Sequence, residues 1–341
     1  MTTVTAPALS RAAVAALTAV AALLLTACGD PGGSSGLVPT GDTLAGDAAD
    51  AVAGDTTTTT AGDTETADTA PVDTGAPTDT VVADTADTTP PGDTGPTELG
   101  VGVLLGEIDA PGLNVAFAAA RLTRVPVPPD TSGTSYPPCR VAHVDPNAAE
   151  TVRYGLDGGA ITVTGTNPGV TLSPSPDGAA GTKYTSSLPD DQESLLPGGG
   201  AIVSVSGAGG ADVAAFSGVL QMPEPVTISL PATGLGRKAN PQVPLTVTWN
   251  KGTGQQVVVS LNPLGPTGEA IAGKAVICDL TGDEGTVTIP SAALVEAANL
   301  PSPPLMALGV TRIRAGTASN AAYRIPLTAT RSNGGPLSLS E

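Results

Sequence analysis

The chain has 341 residues, room for two modest domains or for one large domain and a tail. Forty-three glycines, 33 prolines and only 2% aromatic residues predict many short strands and turns around a core of Val, Ile, Leu and Ala. The net charge of −18 argues against nucleic acid or anionic lipid headgroups as partners, because both repel it.

From the N-terminus, Arg11 precedes an uncharged run, Ala12 to Leu25, too short to span a bilayer as a stable anchor but suited to a secretory leader. The run ends in Leu25-Thr26-Ala27-Cys28, which resembles the lipobox of bacterial lipoproteins. That resemblance implies cleavage of residues 1–27, a diacylglycerol on the Cys28 thiol and further acylation of the new N-terminus. Each buried CH₂ adds about 0.8 kcal/mol, so two or three acyl chains hold durably. The membrane, reached through lipid on Cys28, is an expected partner, alongside an envelope or extracellular ligand that sequence does not identify. The alternative is an ordinary leader and a soluble secreted product. Gly29 follows the cysteine, with Asp30 one place later. The aspartate that would resemble an inner-membrane retention signal is not in the position after Cys28, so the outer membrane is the expected address.

Residues 28–98 are low-complexity. Asp-Thr recurs at Asp42, Asp55, Asp63, Asp68, Asp73, Asp79, Asp84, Asp87 and Asp93 among Ala, Gly and Pro. Aromatics are absent and large aliphatics sparse, so nothing offsets the entropy of ordering the segment, and a disordered spacer is expected. As a coil it would reach roughly 50 Å end to end, further with self-repulsion. No Lys or Arg occurs between Arg11 and Arg121. The run Thr56 to Thr60 offers hydroxyls for sugars. The aspartates lack the order of an EF-hand loop.

A β-rich module is expected over 99–222. Leu99 to Leu105 restarts hydrophobic sequence, and Val115 to Leu122 is apolar without a clear period. Val125 to Pro138 carries five prolines, which predicts an irregular loop around Tyr136 and Cys139. Period two then takes over at Ile161 and Val163, Val170 and Leu172, and Val203 and Val205, between glycine clusters that read as turns. Phe216 to Leu220 adds a strand before Pro223-Glu224-Pro225.

That proline pair is the expected boundary of a second module, 223–332. Leu245, Val247 and Trp249 share a face, Val257 to Leu261 is a dense strand, and Val276, Cys278 and Leu280 share a side. Val287 and Ile289 follow, then a brief helix over Ser291 to Asn299, then strands at Met306 to Arg314 and Tyr323 to Ala329. In the last, Arg324, Thr328 and Thr330 are expected to face out. About seven short strands with a tryptophan on an early one predict an all-β fold ending in an immunoglobulin- or fibronectin-III-like sandwich, with Trp249 in its core. Residues 333–341 are expected to be a flexible tail.

The segments Asp212-Val213-Ala214-Ala215-Phe216-Ser217, Pro223-Glu224-Pro225-Val226-Thr227-Ile228, Leu245-Thr246-Val247-Thr248-Trp249, Ala275-Val276-Ile277-Cys278 and Thr286-Val287-Thr288-Ile289-Pro290 are packing motifs. Together they resemble a group of predicted lipoproteins of large-genome Gram-negative bacteria. These share a lipobox, an Asp/Thr-rich spacer and a β-rich exterior part, and the resemblance implies architecture and location, with no activity.

Candidate chemistry is sparse. Cys139, His143 and Asp145 supply the residue types of a nucleophile, base and orienter, but all three sit in one short stretch with no nucleophile elbow and no second histidine for zinc. Asp190, Asp191 and Glu193, and Asp279, Asp283 and Glu284, have ligand types that suit calcium, and solvated turns are the simpler expectation. No catalytic residue, cofactor or metal is therefore expected. Cys139 and Cys278 remain, as a disulfide or as two buried thiols; sequence leaves both open. The expectation is a lipid-anchored envelope protein that binds or builds. The alternative is a hydrolase accessory module directed at carbohydrate or peptidoglycan, which the scarcity of aromatics disfavours.

Overall fold

The computed structural model describes residues 95–340, apart from 112, 126–129, 149–152, 190, 235, 254–255 and 300–304. The leader, Cys28 and the Asp/Thr-rich segment lie outside the described residues. What is described is almost entirely β, with one α-helix.

The first half contributes β1 (Thr97–Glu98), β2 (Gly100–Ala110), β3 (Leu113–Thr123), β4 (Thr134–Tyr136), β5 (Cys139–Val144), β6 (Ile161–Thr164), β7 (Val170–Pro176), β8 (Thr182–Ser186), β9 (Ile202–Gly207) and β10 (Phe216–Gln221). The second contributes β11 (Ile228–Leu230), β12 (Lys238–Ala239), β13 (Leu245–Trp249), β14 (Gln256–Leu264), β15 (Gly273–Leu280), β16 (Thr286–Ile289), α1 (Ser291–Ala298), β17 (Leu305–Ser319) and β18 (Tyr323–Leu339). Asn320 closes the β17–β18 turn by accepting the amides of Ala322 and Tyr323 on its side chain, an Asx-type cap.

The β17–β18 hairpin is the spine. Its antiparallel register runs from Leu305↔Ser338 to Ser319↔Arg324. The free edge of β17 takes β14 as far as Ile313 and β10 from Thr317 onward. The free edge of β18 takes β1, β2 and β12 in succession, all parallel. From β14 the ladder continues through β15 and β5 to β4; from β10 it continues through β9, β6 and β7 to β8. On the far side β2 pairs with β3. Thr123, the last residue of β3, bridges to Gly155, which bridges to Gly181 beside β8. The ladder around the first core therefore returns on itself at these two bridges.

Period two sorts the side chains into two main cores. One fills that ring with Leu105, Leu122, Ile161, Val163, Leu172, Val203, Val205, Phe216, Leu220, Ile325 and Leu327 among others. The second lies where β5, β15, β14, β17 and β18 face β11–β13–β16 and α1, and holds Val247, Trp249, Val257, Val259, Val276, Ile289, Leu294, Val310 and Leu337. A smaller cluster, with Ala142, Val258, Ala275, Ile277 and Ile313, sits on the opposite face of β5, β15, β14 and β17, so those strands are apolar on both sides. Continuous apolar runs such as Val257 to Leu261 follow from that.

The module boundary expected at 223 is corrected. Met222 belongs to the first core and Val226 to the second, yet residues 94–341 form one compact unit because the spine and its ladder serve both cores. The sandwich borrows β5 from ahead of the boundary. The supposed tail is also corrected: 333–339 is the end of β18, with Leu337 and Leu339 buried. Cys139 and Val141 lie on a strand rather than in an irregular loop, past a tight Pro137-Pro138 turn, and residues 115–122 are strand β3. Thr328 and Thr330 lie on the face opposite Leu327 and Ala329, as expected, but they are buried there rather than exposed.

Candidate functional site: an arginine belt between the cores

The inner face of the spine carries the second core at Met306, Leu308 and Val310 and the first at Ala318, Ile325, Leu327 and Ala329. Between them the same face presents Arg312 and Arg314 on β17 and Arg331 and Asn333 on β18, with Arg312 directly opposite Arg331. A charge at such a position costs heavily unless it is paired and its donors are satisfied.

Arg312 is fully buried. Its Nε lies 2.6 Å from Asp283 Oδ2, and Asp283 is itself only 2% exposed. Nη1 donates to the carbonyls of Pro225 (2.5 Å) and Glu224 (3.3 Å), and Nη2 to that of Asn250. Asp283 also accepts the Trp249 indole N–H at 2.7 Å and the Gly252 amide at 3.0 Å. Gly252 has to be glycine here, because a Cβ would stand 2.5 Å from the Arg312 Cζ. Asn250 completes the knot, accepting from Thr227 N (2.6 Å) and donating to Pro225 O (3.0 Å).

Arg331 repeats the device toward the first core. Its Nε pairs with Glu107 Oε2 at 3.0 Å, and Nη2 donates to Leu196 O (2.9 Å) and Pro197 O (2.8 Å). Glu107 accepts the amides of Leu195 and Leu196 on its other oxygen, at 2.7 and 2.5 Å. Asn333 accepts Ile228 N and donates to Asp109 O. The belt thus ties three irregular segments, 194–197, 224–228 and 250–253, to the spine. Among the described residues, Arg331 Nη1 and Arg314 Nε find no hydrogen-bond partner.

The residues singled out from sequence fall elsewhere or play other parts. Trp249 is in the second core, as expected of a packing residue, and its N–H holds Asp283. Cys139 and Cys278 are directly opposite in the β5–β15 register and are joined by a disulfide. That sulfur is committed, and His143 stands four residues along the same strand, about 13 Å away by strand rise. His143 is exposed opposite Lys274, and Asp145 accepts the Asn147 amide in a turn. Asp191 and Glu193 are exposed; Asp190 lies outside the described residues. The second acidic group disperses: Asp279 faces Arg140 at 3.6 Å, Glu284 faces Lys251 at 3.1 Å, and Asp283 is the buried partner of Arg312. The expectation that Asp283 is a solvated turn residue is corrected. Among the described residues no three acidic, cysteine or histidine side chains gather as a metal site.

At the edge of the sandwich, Glu296 of α1 receives the Tyr136 hydroxyl at 2.6 Å and the Lys274 ammonium at 3.0 Å. The Tyr136 hydrogen bond, followed by Lys274, holds the Glu296 carboxyl below its ordinary range, and the same bond pushes the Tyr136 phenol up.

The belt went unread in the sequence. Its signal is an arginine at the inward step of an otherwise apolar alternation: Leu308, Val310, Arg312 and Leu327, Ala329, Arg331. Comparison with models of protein families, with curated proteins and with solved structures finds no match.

Proposed function

We propose that the chain is an envelope protein, anchored through lipid on Cys28 to the outer membrane, that holds its β unit away from the bilayer on an Asp/Thr-rich spacer and acts by binding or by building the envelope rather than by catalysis. The observation that carries this reading is the Cys139–Cys278 disulfide. Such bonds form and persist in oxidising compartments outside the cytoplasm, where an exported chain would mature. The leader-like run ahead of Cys28 agrees with export, and the acidic spacer would be repelled by anionic headgroups and so extend from the surface. The buried charges support a non-catalytic role: Asp283, Glu107 and most donors of Arg312 and Arg331 are spent on backbone groups of the protein itself.

The test is an intact mass of the native protein extracted from membranes in detergent. A chain starting at Cys28 and carrying acyl groups is the expected result. A chain without lipid, recovered from the soluble fraction, refutes the anchor.

A further inference from the structure

The outward face of the large sheet has an open part and a covered part. Along β9 and β10 it is open: Ile202 and Val219, which alternation points away from the first core, are 65% and 60% exposed. Further along the same face the side chains are closed off. Ile277 of β15, Val258 of β14, Ile313 of β17, and Leu104 and Ile108 of β2 are between 2% and 7% exposed, and Thr330 of β18 among them is 3% exposed. Register puts all six on the side opposite both main cores. The three-stranded sheet and α1 pack on the other side, and every member of the apolar cluster here comes from the large sheet itself. Side chains on a sheet face are enclosed to this degree only under a second layer, which packs about 10 Å away. Among the described residues no strand or helix supplies it.

The rest of the chain offers one segment that can. Between 95 and 340 the undescribed stretches are five residues or fewer, each with at most one large aliphatic side chain. Residues 1–94 contain one long uncharged apolar run, 12–25, in which Leu17, Val20 and Leu24 recur at the spacing of one helix face. The residues after it are rich in Asp and Thr and suit water. As a helix, the run would be about 21 Å long, and the strands from β15 to β2 stand about 19 Å apart. Arg140 and Asp279, at the border of the face, answer each other at 3.6 Å, so the face brings no unmatched charge to an apolar occupant. We propose that, in the chain before processing, this face is the docking site of the run 12–25, which closes it as a second layer. Cleavage before Cys28 then removes the cover, so the cut that frees the cysteine for its anchor also opens an apolar face on the mature protein. That last step rests on the anchor reading; the docking does not, and either can fail alone.

The experiment uses the full chain made in a cell-free reaction without membranes, so that residues 1–27 stay in place, and the dye anilinonaphthalene sulfonate as probe of open apolar surface. Wild type is expected to stay dim, and Leu17→Asp with Leu24→Asp to raise dye fluorescence at least about threefold. Both changes lie outside the folded unit, so Trp249 emission is expected to be the same in the two chains. A photoreactive benzoylphenylalanine in place of Val20 is expected to cross-link within the chain to β2, β14, β15 or β17. Equal dye fluorescence in wild type and variant overturns the docking. So does a wild-type signal that rises on dilution, which would make a second copy the cover. Should Trp249 emission differ, the cross-link decides alone: its absence from those four strands overturns the proposal.

Discussion

Single residues in this molecule carry most of their weight through polar contacts inside an apolar setting. Asp283 offers two oxygens to three donors, so Asp283→Asn leaves the Arg312 cation buried without its counter-charge. The expected loss is about 3–5 kcal/mol, read as the shift in urea midpoint followed by Trp249 fluorescence. Glycines opposite phenylalanines form a second class. The two phenylalanines of the chain each lie over a glycine in the neighbouring strand, Phe117 over Gly106 and Phe216 over Gly207. A Cβ at Gly207 would stand 2.1 Å from the Phe216 ring, so Gly207→Ala is expected to destabilise by about 1–3 kcal/mol, the cost of overpacking, on the same measurement. At this scale the sequence showed Trp249 as core, because it shares a face with Leu245 and Val247. It could not show that Asp283 is its partner, since nothing in the sequence between them, a separation of 34, marks which turn folds back beneath the indole.

Elements were legible where period two was clean. Strands at Ile161, Val203, Leu245 and Val276 and the helix after Pro290 follow from alternation and turn residues. Strand β3 was obscured because Ala118, Ala119 and Ala120 flatten the alternation, and β5 because prolines ahead of it suggested a loop. What secures β5 is the disulfide to β15, between cysteines separated by 139 positions in sequence. A cross-link over so long a loop restricts the unfolded chain strongly, so Cys139→Ala with Cys278→Ala is expected to lower stability by about 3–5 kcal/mol, and reductant is expected to do the same to wild type and nothing to the double variant. The helix is joined to β4 and β15 by a titratable contact. Glu296 is held below its ordinary value, so its contribution is fully present above about pH 4.5 and is lost as pH falls through the lowered value. Tyr136 is raised, so its contribution is present below pH 10 and is lost as pH rises through the raised value. Glu296→Gln is expected to flatten the acid limb of a stability profile measured between pH 3 and 7.

At the scale of the whole molecule, two cores share one hairpin. Sequence expected a boundary at Pro223, yet the first core takes Ile325 and Leu327 from after it and the second takes Val141 from before it, because strand pairing between distant segments has no local signature. Since β17 and β18 line both cores, the unit is expected to unfold as one. Hydrogen exchange should give the amides of β6 and β9 the same maximal opening free energy as those of β13 and β15. Deleting 333–341 would cut Leu337, Leu339 and Asn333 from the spine. The expected outcome is loss of cooperative unfolding, seen by circular dichroism and protease sensitivity, where a flexible tail would leave both unchanged.

The parallel partnership of β2 with β18 sets an order in time. A chain that emerges N-terminus first, from a ribosome or a translocation channel, exposes β2 and β10 long before the hairpin strands they flank exist. The first core cannot close until residues 305–339 arrive, so roughly two hundred residues wait with unpaired strand edges. A molecule built on its last hairpin needs protection against sticking to its neighbours while it is being made. Ser and Thr alternate with apolar residues along β6 and β9, and no charged side chain occurs in β6, β9 or β10, so those waiting edges have little protection of their own.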